Sequence, residues 1–241
     1  MGIEALVKST AFYGWQKRRM ARLRYRVRTW WRTFGRDRYL GKEDYLFETD
    51  PQWFEKHLNP TVLNEHGRFL TGRILDIGCH HGLSSLYLAR QGKRVVGIDL
   101  NCNALVKAAR FRAREGGRVQ ERLHLVQGYI HLMPLRGEAF DGAIMFDVLE
   151  HIYEKDREAV FQEIKRVLKP SSPLLVIVPY GYFYDGHTHV SFFHRLEDLE
   201  RVLIDHGLTV EAITLDERKD LHGSEHKRIN ALARAPTRPR C

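Results

Sequence analysis

The sequence predicts a doubly wound α/β fold, a largely parallel sheet with helices on both faces. Three observations carry this. Short runs of branched apolar residues recur at 73–77, 94–100, 123–127, 139–146 and 174–179. Stretches with apolar residues at helical spacing alternate with them, as in βαβ units. The first two runs each carry an acid near their end, Asp76 and Asp99, on the side of the sheet where such folds place their ligands.

The stretch Arg73-Ile-Leu-Asp-Ile-Gly-Cys-His-His-Gly82 organises the rest. Ile74, Leu75 and Ile77 suit a strand buried on both faces. Gly78 and Gly82 bracket a tight turn, and 83–89 follows as a helix with Leu83, Leu86 and Ala89 at helical spacing. Strand, turn and helix together aim backbone N–H groups at a carboxylate or phosphate. The acid on the strand suits an amine or hydroxyl. A ligand offering all of these is an amino-acid-linked nucleoside.

Asp99 lies 23 residues after Asp76. From the neighbouring strand it would overlook the glycine turn, where a carboxylate can accept both hydroxyls of a ribose. Its other reading is a cap for the helix that starts at Asn101. That helix spans 101–114, and Gly116-Gly117 end it. Residues 123–127 form a third strand and 139–146 a fourth. A helix over 153–168 stops at Pro170, and 174–179 is the fifth strand. A helix over 196–206 is capped by Gly207. Residues 208–215 and 228–235 read as the last two strands. Upstream, Pro51 and Pro60 punctuate helical stretches at 52–58 and 61–70.

Charge divides the chain. Residues 1–41 hold 11 Lys+Arg against two acids, while the other 200 residues are balanced. The net +9 therefore belongs to an N-terminal arm, and the high pI says nothing about the site. Met20, Leu23, Val27, Trp30 and Phe34 recur at helical spacing beside Arg24, Arg28, Arg32 and Arg36, which reads as a basic amphipathic helix. Such an arm either packs on the domain with its arginines in water or lies on an anionic membrane surface. Docking on a nucleic-acid backbone ranks behind these two. The organisation is then an arm at 1–41, a helical lead-in at 42–72, a domain at 73–235 and a tail at 236–241. Cys79, Cys102 and Cys241 are too few and too scattered for a disulfide framework or a zinc site. There is no signal-peptide pattern at the start and no apolar run of membrane-span length. A cytoplasmic protein, peripheral on the inner face of a membrane, is the expectation.

Five motifs in sequence then resemble one family. They are Leu75-Asp-Ile-Gly-Cys-His-His-Gly82, Gly97-Ile-Asp99, Phe140-Asp-Gly-Ala-Ile-Met-Phe-Asp-Val-Leu-Glu-His-Ile152, Leu168-Lys-Pro170 and His189-Val-Ser-Phe-Phe193. With these the chain resembles a class I S-adenosylmethionine (SAM)-dependent methyltransferase of the type 11/12 group, which includes small-molecule and quinone-ring methylating members. The resemblance runs from about residue 73 to 235. It implies a Rossmann-like, seven-stranded, mostly parallel sheet whose last strand is antiparallel. It also implies SAM as cofactor and a small or lipid-linked acceptor methylated on a hydroxyl or other nucleophile.

The resemblance assigns roles. Asp76 would meet the cofactor's amino group, with Gly78, Cys79 and Gly82 shaping the turn around its methionine portion. Asp99 would hold the ribose, Leu100 would pack on the adenine, and Tyr129, Ile130 and Phe146 complete the cofactor set. Of three departures from the family pattern, Ser171-Ser172 for Gly-Gly before the fifth strand affects only a turn, and two bear on activity: His80 replaces a glycine and Tyr129 replaces a frequent acid. They keep open a second reading, an inactive member binding membrane or RNA through its arm. A nicotinamide oxidoreductase is set aside, because Gly78 and Gly82 do not have Gly-x-Gly-x-x-Gly spacing.

Methyl transfer from a sulfonium is an in-line displacement that depends mainly on alignment. A hydroxyl acceptor also benefits from a base. His151, His187 and His189 are the catalytic candidates, among polar residues that also include Glu150, Tyr180, Asp185 and His194. Asp147-Val-Leu-Glu-His151 resembles a magnesium-holding Glu-x-x-Glu-His set, with Asp147, Glu150 and His151 as ligands. The commoner meaning of Leu-Glu-His-Ile is a strand-to-helix turn without metal, and no metal is the expectation. The aromatic and histidine-rich segment 180–189 predicts a loop over the acceptor.

Overall fold

A computed structural model describes residues 60–181, 189–219 and 225–237. All of these lie in the unit Gln52–Cys241. The arm at 1–41, the helix expected at 52–58 and the candidates Asp185 and His187 lie outside the described residues.

The element order is α1 (Pro60–Gly67), β1 (Arg73–Ile77), α2 (Leu83–Arg90), β2 (Arg94–Asp99), α3 (Cys102–Ala113), α4 (Gly117–Arg122), β3 (Leu123–Gln127), β4 (Gly142–Phe146), α5 (Glu154–Val167), β5 (Pro173–Pro179), α6 (Leu196–Asp205), β6 (Thr209–Lys219) and β7 (Glu225–Arg234). The seven strands form one sheet in the order β3-β2-β1-β4-β5-β7-β6. The pairs β1–β2, β1–β4, β2–β3 and β4–β5 are parallel. β7 is inserted antiparallel between β5 and β6. This is the largely parallel sheet that the sequence predicts, with the seven strands and reversed last strand that the resemblance implies.

Helices cross back over the sheet in the β1–β2, β2–β3, β4–β5 and β5–β6 connections, so the central strands are buried on both faces. Five residues of β1 and seven of β5 show this, with only Arg73 exposed in β1 and only Pro179 partly exposed in β5. The main core joins β1, β4, β5 and β7 to α5 and α6, with Phe140 and Phe161 among its largest fully buried side chains. Among the described residues, no helix is long and apolar enough to cross a membrane.

Four expectations are corrected. Gly116-Gly117 does not simply end a helix; Gly117 opens α4, a six-residue helix set by its backbone and not by any apolar period. β4 begins at Gly142, because Phe140 forms only an isolated bridge to Leu168 and Asp141 turns its carboxylate onto the Arg73 amide, 2.8 Å away. β6 and β7 run longer than their apolar cores, since hairpin pairing continues through Asp216–Arg228 and Glu217–Lys227. The helix expected at 61–70 ends at Gly67.

Candidate active site

β1 ends at Ile77 against a turn with three left-handed residues: Gly78 (φ 72°), His80 (φ 50°) and Gly82 (φ 73°). A Cβ on Gly78 would stand 2.7 Å from Val148 Cγ2. Only glycine lets the turn lie that close to the end of β4. Histidine is one of the few side-chain-bearing residues that enter the left-handed region. His80 therefore takes the backbone shape that a glycine would take, and its ring stacks on His81 with centroids 3.9 Å apart.

Most N–H groups of the turn are used within the protein. Gly78 and Cys79 donate to the Ile98 carbonyl at 2.8 and 3.1 Å, and Gly82 donates to the Cys79 carbonyl at 2.7 Å. His80 donates to Asp99 Oδ2 at 2.8 Å. These four amides are thus engaged within the protein, and the helix start at Leu83 is the remaining part of the strand, turn and helix unit expected to aim N–H groups at a ligand. The charged groups at this turn are Asp76 and Asp99, and its glycines let it pack on Val148 and Ala108.

Asp76 is 1% exposed, and its Oδ2 accepts hydrogen bonds from Ser84 and Ser85 at 2.6 Å each. Burial pushes its pKa up to about 6; the serine hydroxyls oppose that rise and Asp99 adds to it. The same burial, reinforced by Asp76 and Asp99, raises the Cys79 thiol well above its ordinary value, so it stays protonated. Gly97 makes the packing possible: a Cβ there would meet Cys79 Sγ and Ser85 Oγ at 2.8 Å each.

Asp99 joins the turn to the next helix. Its Oδ1 accepts from the Asn101 amide at 2.7 Å. The helix cap is Asn101 itself, whose side chain accepts from Asn103 and Ala104. The Gly128 amide donates to the Asp99 carbonyl at 2.9 Å, which sets Tyr129 and Ile130 beside the end of β2. Gln127 donates to the Leu100 carbonyl at 3.2 Å, on the same side.

Phe146 ends β4, and the left-handed Asp147 (φ 51°) follows. Arg228 on β7 grips the Asp147 carboxylate with two bonds, of 2.8 and 3.2 Å, and its guanidinium lies 5.3 Å from the Phe146 ring centre. Burial opposes the Arg228 charge, but Asp147, Glu150 and Asp216 outweigh it and raise the pKa. Leu149–His151 then form a 3₁₀ turn that buries Glu150.

His189 arrives at this turn from 38 residues away. The Val190 and Ser191 amides both donate to the Glu150 carbonyl, at 2.8 and 3.1 Å. Ser191 Oγ donates to the Ile152 carbonyl at 3.2 Å and accepts from the buried Arg157 at 2.7 Å. These bonds set the His189 ring edge-on to His151, with centroids 4.8 Å apart and planes at 73°. His151 Nε2 lies 3.9 Å from Glu150 Oε1. One donor atom each from Glu150, His151 and His189 falls within 4.8 Å of the others. Tyr180 and Phe192 expose their rings nearby in the chain, and Phe192 faces His189 at 6.5 Å.

The structure brings together two sets of the candidate residues. Asp76, Gly78, Cys79, Gly82, Asp99, Leu100, Tyr129 and Ile130 gather around the ends of β1 and β2. Phe146, Asp147, Glu150, His151 and His189 gather after β4. His194 stands apart at the start of α6, its amide bonded to Asp198. The residues present fit SAM: two carboxylates flank a turn whose glycine has no room for a Cβ. They do not fit the magnesium set of Asp147, Glu150 and His151, because a cation already holds both Asp147 oxygens.

Sequence reasoning missed Ser84, Ser85, Arg157, Ser191 and Arg228. Two adjacent serines opening an otherwise apolar helix are a readable signal for a buried acid partner. The two arginines give no local signal.

A family profile described as "Methyltransferase domain" matches residues 75–176. A curated relative, the ubiquinone biosynthesis O-methyltransferase of Xylella fastidiosa (strain M23), is 32% identical over 136 residues, covering 52% of this chain and 53% of that protein. The chain thus spans about half the length of the curated relatives it matches. Among solved structures, a SAM-dependent methyltransferase from Methanosarcina mazei has a TM-score of 0.58 at 23% identity, covering 69% of this chain and 93% of that one. The glycopeptide N-methyltransferase MtfA, solved with S-adenosyl-L-methionine, has a TM-score of 0.58 at 16% identity, covering 73% and 92%. The profile match falls on the two acids, the glycine turn and the end of β4, so residues 75–176 are similar to a methyltransferase domain, and the sheet has the fold of the solved SAM-dependent methyltransferases.

Proposed function

We propose that this chain transfers the methyl group of SAM to a hydroxyl of a small or lipid-linked ring acceptor. The observation that carries the reading is the pairing of Asp76 and Asp99 across the left-handed turn, one β4 turn away from Glu150, His151 and His189. When bound, the cofactor supplies an activated methyl on a sulfonium. The chain's own task is alignment, which brings donor and acceptor to reacting distance. Asp99 accepts the ribose hydroxyls with the lone pairs that His80 and Asn101 leave. Asp76 faces the α-amino group. The polar cluster after β4 meets the acceptor hydroxyl, and Tyr180 and Phe192 offer aromatic surface to its ring. The 11 basic residues of 1–41 add attraction to anionic lipid, which suits a lipid-linked acceptor. An active site is favoured over a silent scaffold because His80 keeps the glycine-like backbone.

Calorimetry with S-adenosylhomocysteine tests the cofactor half. Micromolar binding supports it, and no binding at high micromolar concentration overturns it. Methyl transfer from labelled SAM to a panel of phenols and catechols tests the acceptor half. His151→Ala and His189→Ala should each lower turnover by about 100-fold, within the range for a lost proton-transfer group, with S-adenosylhomocysteine affinity unchanged. A matched loss of affinity would move these histidines into the cofactor site.

The cofactor affinity should also depend on pH. Asp76 has a pKa of about 6, raised by burial. An ammonium beside it favours the ionised form, so binding releases a proton wherever the free protein holds one. Affinity should therefore be full above about pH 7 and fall as pH drops through 6, by up to tenfold per pH unit for one linked proton. Asp76→Asn should flatten that profile. A wild-type profile flat between about pH 5 and 8 would place the ammonium elsewhere.

A further inference from the structure

Glu150, His151 and His189, which the proposed function sets against the acceptor hydroxyl, also share donor geometry that a simple proton acceptor does not need. Metal–ligand bonds of about 2.0–2.2 Å place donors on one ion roughly 3–4 Å apart. The three donors here lie within 4.8 Å of one another, and the Glu150–His151 pair is already at 3.9 Å. Sub-ångström side-chain adjustment closes the set. The third donor is held in advance: His189 precedes two amides fixed on the Glu150 carbonyl, and Ser191 is fixed again by Ile152 and Arg157. The carboxylate is buried at 1% exposure.

Asp147 decides which ion suits the site. The Arg228 guanidinium holds its carboxylate with two bonds, which removes the hard oxygen donor that a magnesium set would draw from this strand end. What is left is one carboxylate and two imidazoles. Carboxylate and water oxygens suit magnesium, whereas imidazole nitrogen suits zinc and its neighbours in the first transition row. Two histidines and one glutamate form a known three-ligand set for zinc that keeps a fourth position open. Arg228 is the cation near Glu150, and Asp147 neutralises it, so the added ion meets little uncompensated positive charge.

We infer that Glu150, His151 and His189 form a site for one divalent transition-metal ion of the zinc class, and that this site does not take magnesium. The inference rests on the proposed function only for the use of the ion. The open position would receive the acceptor hydroxyl and lower its pKa, so that its proton leaves to water before methyl transfer. Binding itself stands independently of any activity.

The test titrates the metal-stripped 241-residue chain with zinc, then with magnesium, by calorimetry. Cobalt is added as a spectroscopic probe. One equivalent of zinc should bind, and millimolar magnesium should neither bind nor displace it. Cobalt should give the intense visible bands of a low-symmetry four- or five-coordinate site. His189→Ala and Glu150→Gln should each weaken zinc by more than about 100-fold, beyond the 10–100-fold typical of outer-shell partners. His124→Ala, an exposed histidine on β3, should bind zinc as the wild type does. Zinc bound equally by wild type and His189→Ala overturns the inference, as does magnesium that displaces zinc. The cobalt spectrum of the unmodified chain covers the case in which a variant fails to fold. S-adenosylhomocysteine binding without zinc binding would sink the metal site and leave the methyltransferase reading standing. The reverse result would separate the two in the other direction.

Discussion

Asp99→Ala should lower S-adenosylhomocysteine affinity by a few hundred-fold. A hydrogen bond to a charged group is worth about 1.5–3 kcal/mol. In the proposed site, two ribose hydroxyls on one carboxylate supply about 3–6 kcal/mol, which is roughly two to four orders of magnitude in Kd. The same carboxylate also accepts from the His80 amide at 2.8 Å and the Asn101 amide at 2.7 Å. Its removal loosens the left-handed turn as well as the ribose seat. Asp99→Asn separates the two effects, because an amide oxygen can still accept from one backbone N–H but its NH₂ repels the other. Calorimetry measures both variants, with thermal melts to confirm folding. An Asp99→Ala variant that binds within threefold of wild type would remove the acid from the ribose site.

Phe161→Ala should cost about 3–5 kcal/mol of folding stability, the usual toll for emptying a fully buried phenylalanine site. Phe161 is 0% exposed in α5, inside the cluster that joins α5 and α6 to the sheet. Its ring also lies 4.6 Å from that of His206, the residue that follows α6. Truncation thus empties core volume and strips one side of a neighbouring imidazole. For a domain of ordinary stability, about 5–15 kcal/mol, this is a large share. Guanidinium unfolding should show a lower midpoint at an unchanged slope. A loss under about 1 kcal/mol would mean that α6 settles into the space.

The strands were legible because they are buried on both faces. Apolar runs mark 73–77, 94–99 and 123–127 closely, and the acid pair followed from the order of the first two. The site was legible to the extent that its parts are local: Asp76, Gly78 and Gly82 fall within seven consecutive residues. What stayed hidden depends on which strands become neighbours. Arg228 reaches Asp147 only because β7 is inserted beside β5, and nothing around residue 228 announces that register. His189 meets His151 only because two amides land on the Glu150 carbonyl. The left-handed backbone of His80 was hidden for another reason: a histidine does not advertise positive φ as a glycine does.

The attachment of Val190 and Ser191 to the Glu150 carbonyl carries a consequence for divergence among related chains. Gly181 is likewise tied to the Phe193 carbonyl, at 2.7 Å. Residues 181, 190 and 191 are therefore each held by the fold through their own amides. Under the proposed function, the sequence between these anchors is free to diverge like an exchangeable cassette while the imidazole at 189 keeps its place. Swapping residues 182–188 between related chains then tests whether that stretch sets acceptor choice.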